Sequence, residues 1–154
     1  MPSFEERLSF RPLTEPPTLK ALQKFQEDAG WSISRRDREI QLNPHLDQRR
    51  CIQWVALEMG QVRVAIAQLE LAPPEFCYIA DLIVKSKFRG QGVGRWFIAG
   101  IERYCARLAI RRLTLVPEDG SLPFYEALGV VPDTMVPGVW KKNVPLLQRK
   151  RLFP

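Results

Sequence analysis

The residues best able to do chemistry stand together in Phe88-Arg89-Gly90-Gln91-Gly92-Val93-Gly94-Arg95. Three glycines in five residues let the backbone turn its N–H groups inward with no Cβ in the way. An amphipathic run comes directly after, so the positive end of a helix would point at the same spot. This is an anion cradle. Lys85, Lys87, Arg89 and Arg95 surround it with positive charge, which suits a pyrophosphate better than a single carboxylate. The bland alternative is a tight strand-to-helix connection that binds nothing. The segment lacks the Lys-Ser/Thr ending of a P-loop, and it does not have the Gly-x-Gly-x-x-Gly order at the first βα unit of a dinucleotide fold.

The elements that must position this loop are legible on both sides of it. Phe76 to Val84 is a near-continuous apolar run broken only by Asp81, as expected of a strand buried on both faces, and it leaves Asp81 a polar group in an apolar place. After the loop 85–91, Trp96, Phe97, Gly100, Ile101, Tyr104, Cys105 and Leu108 recur at about 3.6 residues, with Arg95, Glu102, Arg103 and Arg107 on the other face of the predicted helix. Upstream, the alternation across Arg7 to Leu13 predicts a short strand. Thr18 is a plausible N-cap for a helix carrying Leu19, Leu22, Phe25 and Ala29, which Gly30 stops. Ser34 opens a second short helix carrying Ile40 and Leu42, which Asn43-Pro44 ends, and residues 43–50 read as a loop. Cys51 to Met59 and Val62 to Leu71, separated by Gly60 and Gln61, predict an antiparallel hairpin; a parity shift in its second arm predicts a bulge near Ala67 and Gln68. Downstream come a strand at Arg112 to Val116, a short helix from Ser121 to Leu128 stopped by Gly129, and an extended segment through Val139 to Val144.

The 154 residues, 45% apolar and 26% charged, have the size and composition of one globular domain. No repeats or linkers divide them, so residues 1–145 are read as the domain and 146–154 as a basic tail. No apolar run approaches the roughly 20 residues of a membrane span. The N-terminus has no basic stretch before an apolar one, so a cytoplasmic protein with no membrane partner is expected. The net charge of +6 is concentrated at one end: Lys141, Lys142, Arg149, Lys150 and Arg151 account for five of the 23 basic residues, leaving 18 against 17 acids elsewhere. Such a tail is solvated, or it contacts an acidic partner, RNA or a cofactor's phosphates. No nucleic-acid motif accompanies it. Cys51, Cys77 and Cys105 lack zinc or Cys-x-x-Cys spacing and read as small apolar residues. His45, the only histidine, sits by the Asn43-Pro44 turn, and no metal site is expected.

Taken together these residues resemble the GNAT superfamily of N-acetyltransferases. Its Arg/Gln-x-x-Gly-x-Gly/Ala fingerprint after a strand is met by Arg89, Gly92 and Gly94. Ile79-Ala-Asp-Leu-Ile-Val84 looks like the family's fourth strand, and Phe124-Tyr-Glu-Ala-Leu-Gly129 like its Phe-Tyr-x-x-Leu-Gly motif. The resemblance implies an α/β (α+β) fold with a mixed, mostly antiparallel central sheet of six to seven strands flanked by about four helices.

It also implies acetyl-CoA or another acyl-CoA as co-substrate and an amine-bearing acceptor, with direct attack in a ternary complex. By the same resemblance, Leu82, Ile83 and Val84 would pair with the pantetheine arm. The amides of Arg89, Gly90, Gln91, Gly92, Val93, Gly94 and Arg95 would hold the pyrophosphate, and Tyr125 would protonate the departing thiolate. The family pattern is not fully met: Glu118 stands where relatives often carry Asn, Ser121 where they carry Ala, and Tyr78 where some place an acidic base. Asp81 and Glu118 remain open as base candidates, beside an ordered water chain or an amine already neutral. Trp31, Trp140 and the loop Pro132 to Gly138 are candidates for acceptor selection. A homodimer is possible on this reading. A non-catalytic module of the same fold that senses acyl-CoA or docks on a partner is the alternative.

Overall fold

The computed structural model describes residues 7–30, 51–118 and 120–145. Its elements are β1 (Leu8–Pro12), α1 (Leu19–Asp28), β2 (Cys51–Met59), β3 (Val62–Ala72), β4 (Phe76–Val84), α2 (Val93–Arg107), β5 (Arg112–Leu115), α3 (Leu122–Ala127), β6 (Val131–Pro132) and β7 (Trp140–Asn143). The strands form one seven-stranded sheet in the order β1-β2-β3-β4-β5-β7-β6. All neighbours are antiparallel except β4 and β5, which run parallel and are joined through α2.

Local chemistry accounts for the element boundaries. Thr18 caps α1, its hydroxyl accepting from the Ala21 amide at 3.1 Å. Gly60 and Gln61 turn the β2–β3 hairpin, which pairs from Met59↔Val62 to Cys51↔Leu71. Each face of the sheet then buries its own helix. One face packs Val55, Leu57, Leu69 and Ile79 against Phe97, Ile101 and Cys105 of α2; the other packs Trp54, Ala56, Ile66 and Ile83 against Leu22 and Phe25 of α1.

Several expectations change or are refined. The break in alternation in β3 comes from Val64, which the β2 register skips between Leu57↔Ala65 and Glu58↔Arg63. Small residues at Ala65 and Ala67 hide that position from an apolar count. The irregularity expected near Gln68 is also present, between Gln68 and Leu69, with its extra residue on the neighbouring strand: Gln68 opposes Asp81 while Leu69 opposes Ile79, so Ala80 is the extra residue in β4. β4 itself is not buried throughout, because β5 covers only Cys77 to Ile79 and the rest is mostly half-buried. Cys51 is exposed, while Cys77 and Cys105 lie in the core. Strand β6, two residues long, was not foreseen. Among the described residues there are three α-helices; the helix expected at Ser34 to Leu42, together with Trp31, His45 and the tail 146–154, lies outside them. No described helix is long and apolar enough to cross a membrane.

Helix α2 crosses β1 closely at Gly100. A Cβ there would stand 2.5 Å from Cδ2 and 2.9 Å from Cγ of Phe10, whose ring lies against Phe97 and Tyr104 with centroids 6.0 and 6.1 Å away. Helix propensity favours Ala over Gly by about 1 kcal/mol, whereas overpacking costs about 1–3 kcal/mol, so the clash wins. Gly100→Ala is expected to lower the urea midpoint at unchanged slope by about 1 kcal/mol of stability. A double-mutant cycle with Phe10→Ala should show coupling of similar size; additive effects would contradict this contact.

Candidate functional site

The site begins with an incomplete strand pairing. β5 pairs with β4 only at Cys77↔Leu113, Tyr78↔Thr114 and Ile79↔Leu115. Beyond Ile79 the two strands separate, and the outer edge of β4 through Leu82, Ile83 and Val84 forms no further ladder with β5. A backbone edge with unmet hydrogen-bonding capacity is a template for an extended ligand.

At the end of that edge the chain makes a 3-10 turn, Ser86–Phe88, pinned by the buried Phe88 ring. Gly90 and Gly92 then adopt φ of +75° and +83°, in the left-handed region, and a Cβ on either would meet nothing within 4 Å. Gly92 is the N-cap of α2 and offers no side chain, so the first-turn amides of Val93, Gly94 and Arg95 are left for an external acceptor; the first helical bond is Trp96 N–H to Gly92 C=O at 3.1 Å. Gly94 is small for another reason. A Cβ there would come within 2.9 Å of Phe124 Cζ, because α3 lays that ring on the start of α2.

Edge and cradle open into one cavity of about 730 Å³, which Glu118, Ser121, Phe124 and Tyr125 close from the other side. Tyr125 is 8% exposed, and its ring meets Phe124 edge-on at 5.0 Å. Burial, and then the charge of Glu118, push its hydroxyl up to about 12. The phenol is therefore neutral at every physiological pH. Glu118 is exposed, and its carbonyl accepts from Ser121 N–H and Oγ–H at 3.0 and 2.7 Å, shaping the turn that starts α3.

Of the residues named from the sequence as coenzyme-binding or catalytic, all line this cavity except Gln91 and Asp81; Trp140 and the loop 132–138, named for acceptor selection, do not line it. Gln91 instead spans its own loop, donating from Nε2 to Lys87 C=O at 3.2 Å. Asp81 opposes Gln68 on the sheet face that carries Ile66 and Ile83, the α1 side. Lys85 and Lys87 are not among the lining residues; their ammonium groups lie 5.2 Å from the ring centroids of Phe25 and Phe88. Arg89 and Arg95 do line it. Trp96, expected in the buried stripe, is 39% exposed and lines the cavity, since the stripe runs through Val93, Phe97 and Ile101 and the helical rotation carries Trp96 off it. Phe124 and Trp96 were missed as lining residues; an aromatic beside a glycine motif was the available signal.

The sequence profile of the acetyltransferase (GNAT) family matches residues 17–130. The chain belongs to this family. The fold agrees with solved structures of low identity. Tetrahymena GCN5 shares 12% of residues at a TM-score of 0.66, covering 90% of this chain and 97% of its own. A GNAT family acetyltransferase from Elizabethkingia anophelis with acetyl-CoA bound shares 12% at 0.64, covering 89% and 98%. The ribosomal-protein-S18-alanine N-acetyltransferase from Escherichia coli shares 14% at 0.61, covering 89% and 94%. A GNAT fold with acyl-CoA-dependent acetyl transfer as its general chemistry is thereby established for the family.

The two glycines should fail differently when enlarged. Gly92→Ala forces a left-handed residue, at a cost of about 1–2 kcal/mol, whereas Gly94→Ala pushes on Phe124. Both variants should bind acetyl-CoA more weakly by calorimetry, and adding Phe124→Ala should restore the Gly94 variant but not the Gly92 variant. Rescue of both, or of neither, would contradict this division.

Proposed function

We propose that the protein transfers an acetyl group from acetyl-CoA to a primary amine by direct attack in a ternary complex. The observation that carries this reading is the meeting, in one cavity, of an open β4 edge, an amide cradle and a buried neutral phenol. Leu82 to Val84 would hold the pantetheine arm as an added strand, and the amides from Arg89 to Arg95 would grip the pyrophosphate. Open space before Gly90 and Gly92 fits that role.

The reaction forms a C–N bond and breaks a C–S bond, so one proton must reach sulfur and one must leave nitrogen. Tyr125 supplies the first. With its hydroxyl near 12 and an ordinary thiol near 8.5, even the freed thiolate would take the whole proton only at a cost of roughly 5 kcal/mol, and the less basic thioester sulfur before cleavage only at a larger one. The proton therefore moves as thiolate charge develops, which is the behaviour of a general acid. Of the two base candidates, Glu118 is favoured over Asp81, because Glu118 shares the cavity with Tyr125 and Asp81 does not line it. An exposed carboxylate at the cavity also attracts a cationic amine. The low-identity neighbour that acts on a ribosomal-protein alanine makes a peptide N-terminus a reasonable first member of an acceptor panel.

The test monitors free thiol from acetyl-CoA over a panel of amines. Tyr125→Phe should lower kcat by about 10²-fold or more with the acetyl-CoA Kd unchanged. Because the raised hydroxyl keeps its proton below about 12, no fall in rate between pH 8 and 11 should be traceable to Tyr125. Acetyl-CoA binding with no thiol release for any amine would favour the sensing module instead.

A further inference from the structure

Asp28 stands where two local rules disfavour a carboxylate. It is the last residue of α1, where the helix presents partial negative charge, and it faces Arg89 at the rim of a cavity shaped for a polyanion. Its oxygens are nonetheless engaged. Ser86 donates its backbone N–H to Oδ2 and its hydroxyl to Oδ1, both at 2.7 Å, and Arg89 Nη2 lies 3.9 Å from Oδ2. The Ser86–Phe88 turn has Lys85 at its N-cap and no side-chain cap of its own. Asp28 thus does an N-cap's work from 58 residues away. The Ser86 hydroxyl, then the Ser86 amide, hold the carboxyl below its usual range, so it stays charged at neutral pH.

From Asp28 the restraints run on through the loop. Arg89 donates from Nε to Val84 C=O at 3.0 Å, at the end of the open edge, and Gln91 bonds back to Lys87. Phe88 is anchored in the core between them. A local rule broken at no visible gain to its own element points to a gain elsewhere.

We propose that Asp28 is a positioning residue for coenzyme binding: it fixes Ser86 and faces Arg89 so that the 86–94 loop holds its anion-gripping shape before the ligand arrives. This rests on the acyl-CoA reading above. A loop set in advance spares the binding step the cost of ordering it. Charge alone predicts the opposite effect, since removing an acid beside a polyanion site should tighten binding. The two effects differ in sign.

The experiment measures Kd by calorimetry for acetyl-CoA and for S-acetylpantetheine, which lacks the diphosphate, in wild type, Asp28→Asn, Asp28→Ala and Ser86→Ala, alongside thermal midpoints. Acetyl-CoA affinity should fall on the order of tenfold in Asp28→Ala and less in Asp28→Asn, whose Oδ1 still accepts. S-acetylpantetheine affinity should stay near that of the wild type. Acetyl-CoA affinity equal to or tighter than wild type overturns the proposal. So does a parallel loss for both ligands that tracks a lower midpoint, which marks a helix anchor and nothing more. Should Asp28→Ala fail to fold, Asp28→Asn and Ser86→Ala carry the same comparison. Wild-type protein that binds no acetyl-CoA overturns the acyl-CoA reading itself and this inference with it, a result distinct from the others.

Discussion

The site depends on a strand edge that the fold declines to pair. Backbone N–H and C=O groups carry an obligation to hydrogen bond, and β5 meets that obligation for β4 only as far as Ile79. The extra residue Ala80 sits at the point where the pairing ends, so the register of β4 changes on one side just as it loses its neighbour on the other. Leu82 to Val84, further along the same strand, pair on that edge with no described strand and line a cavity, with Val84 C=O already accepting from Arg89 Nε. An unpaired edge is a liability in a sheet. Here the edge lines a half-open cavity, which leaves room beside it for a ligand of strand-like shape.

The second part of the site is tied to the first by contacts on both ends of the loop. Phe88 anchors the turn in the core, Asp28 holds it from α1, and Arg89 returns to Val84 at the end of the edge. On the far side, Phe124 rests on Gly94, so the helix that carries Tyr125 takes its position from the helix that presents the amides. The Tyr125 phenol and the glycine loop therefore share a reference point. A side chain at Gly94 would press on the Phe124 ring and so reach both, whereas at Gly92 it is the left-handed backbone that favours glycine.

Much of this is written in local patterns. Thr18, the Gly60-Gln61 turn and the apolar runs of β2 to β4 mark their elements through capping, turn chemistry and periodicity, and Arg89, Gly92 and Gly94 mark the cradle. The remainder depends on distance in the chain. Asp28 and Ser86 touch across 58 residues, and no local rule predicts such a pair. The bulge at Val64 is masked because Ala65 and Ala67 are apolar on either parity. Trp96 reads as core by type, and only the rotation of α2 turns it to the cavity. β6 is too short to have a period.

We propose that the edge 82–84 and the amides 89–95 together hold the coenzyme. Amide hydrogen exchange with and without saturating acetyl-CoA tests it most directly. The expected result is new protection confined mainly to Leu82–Val84 and Arg89–Arg95, with little change in β1 and β2. Saturable binding that leaves those two segments exchanging at their ligand-free rates would contradict it.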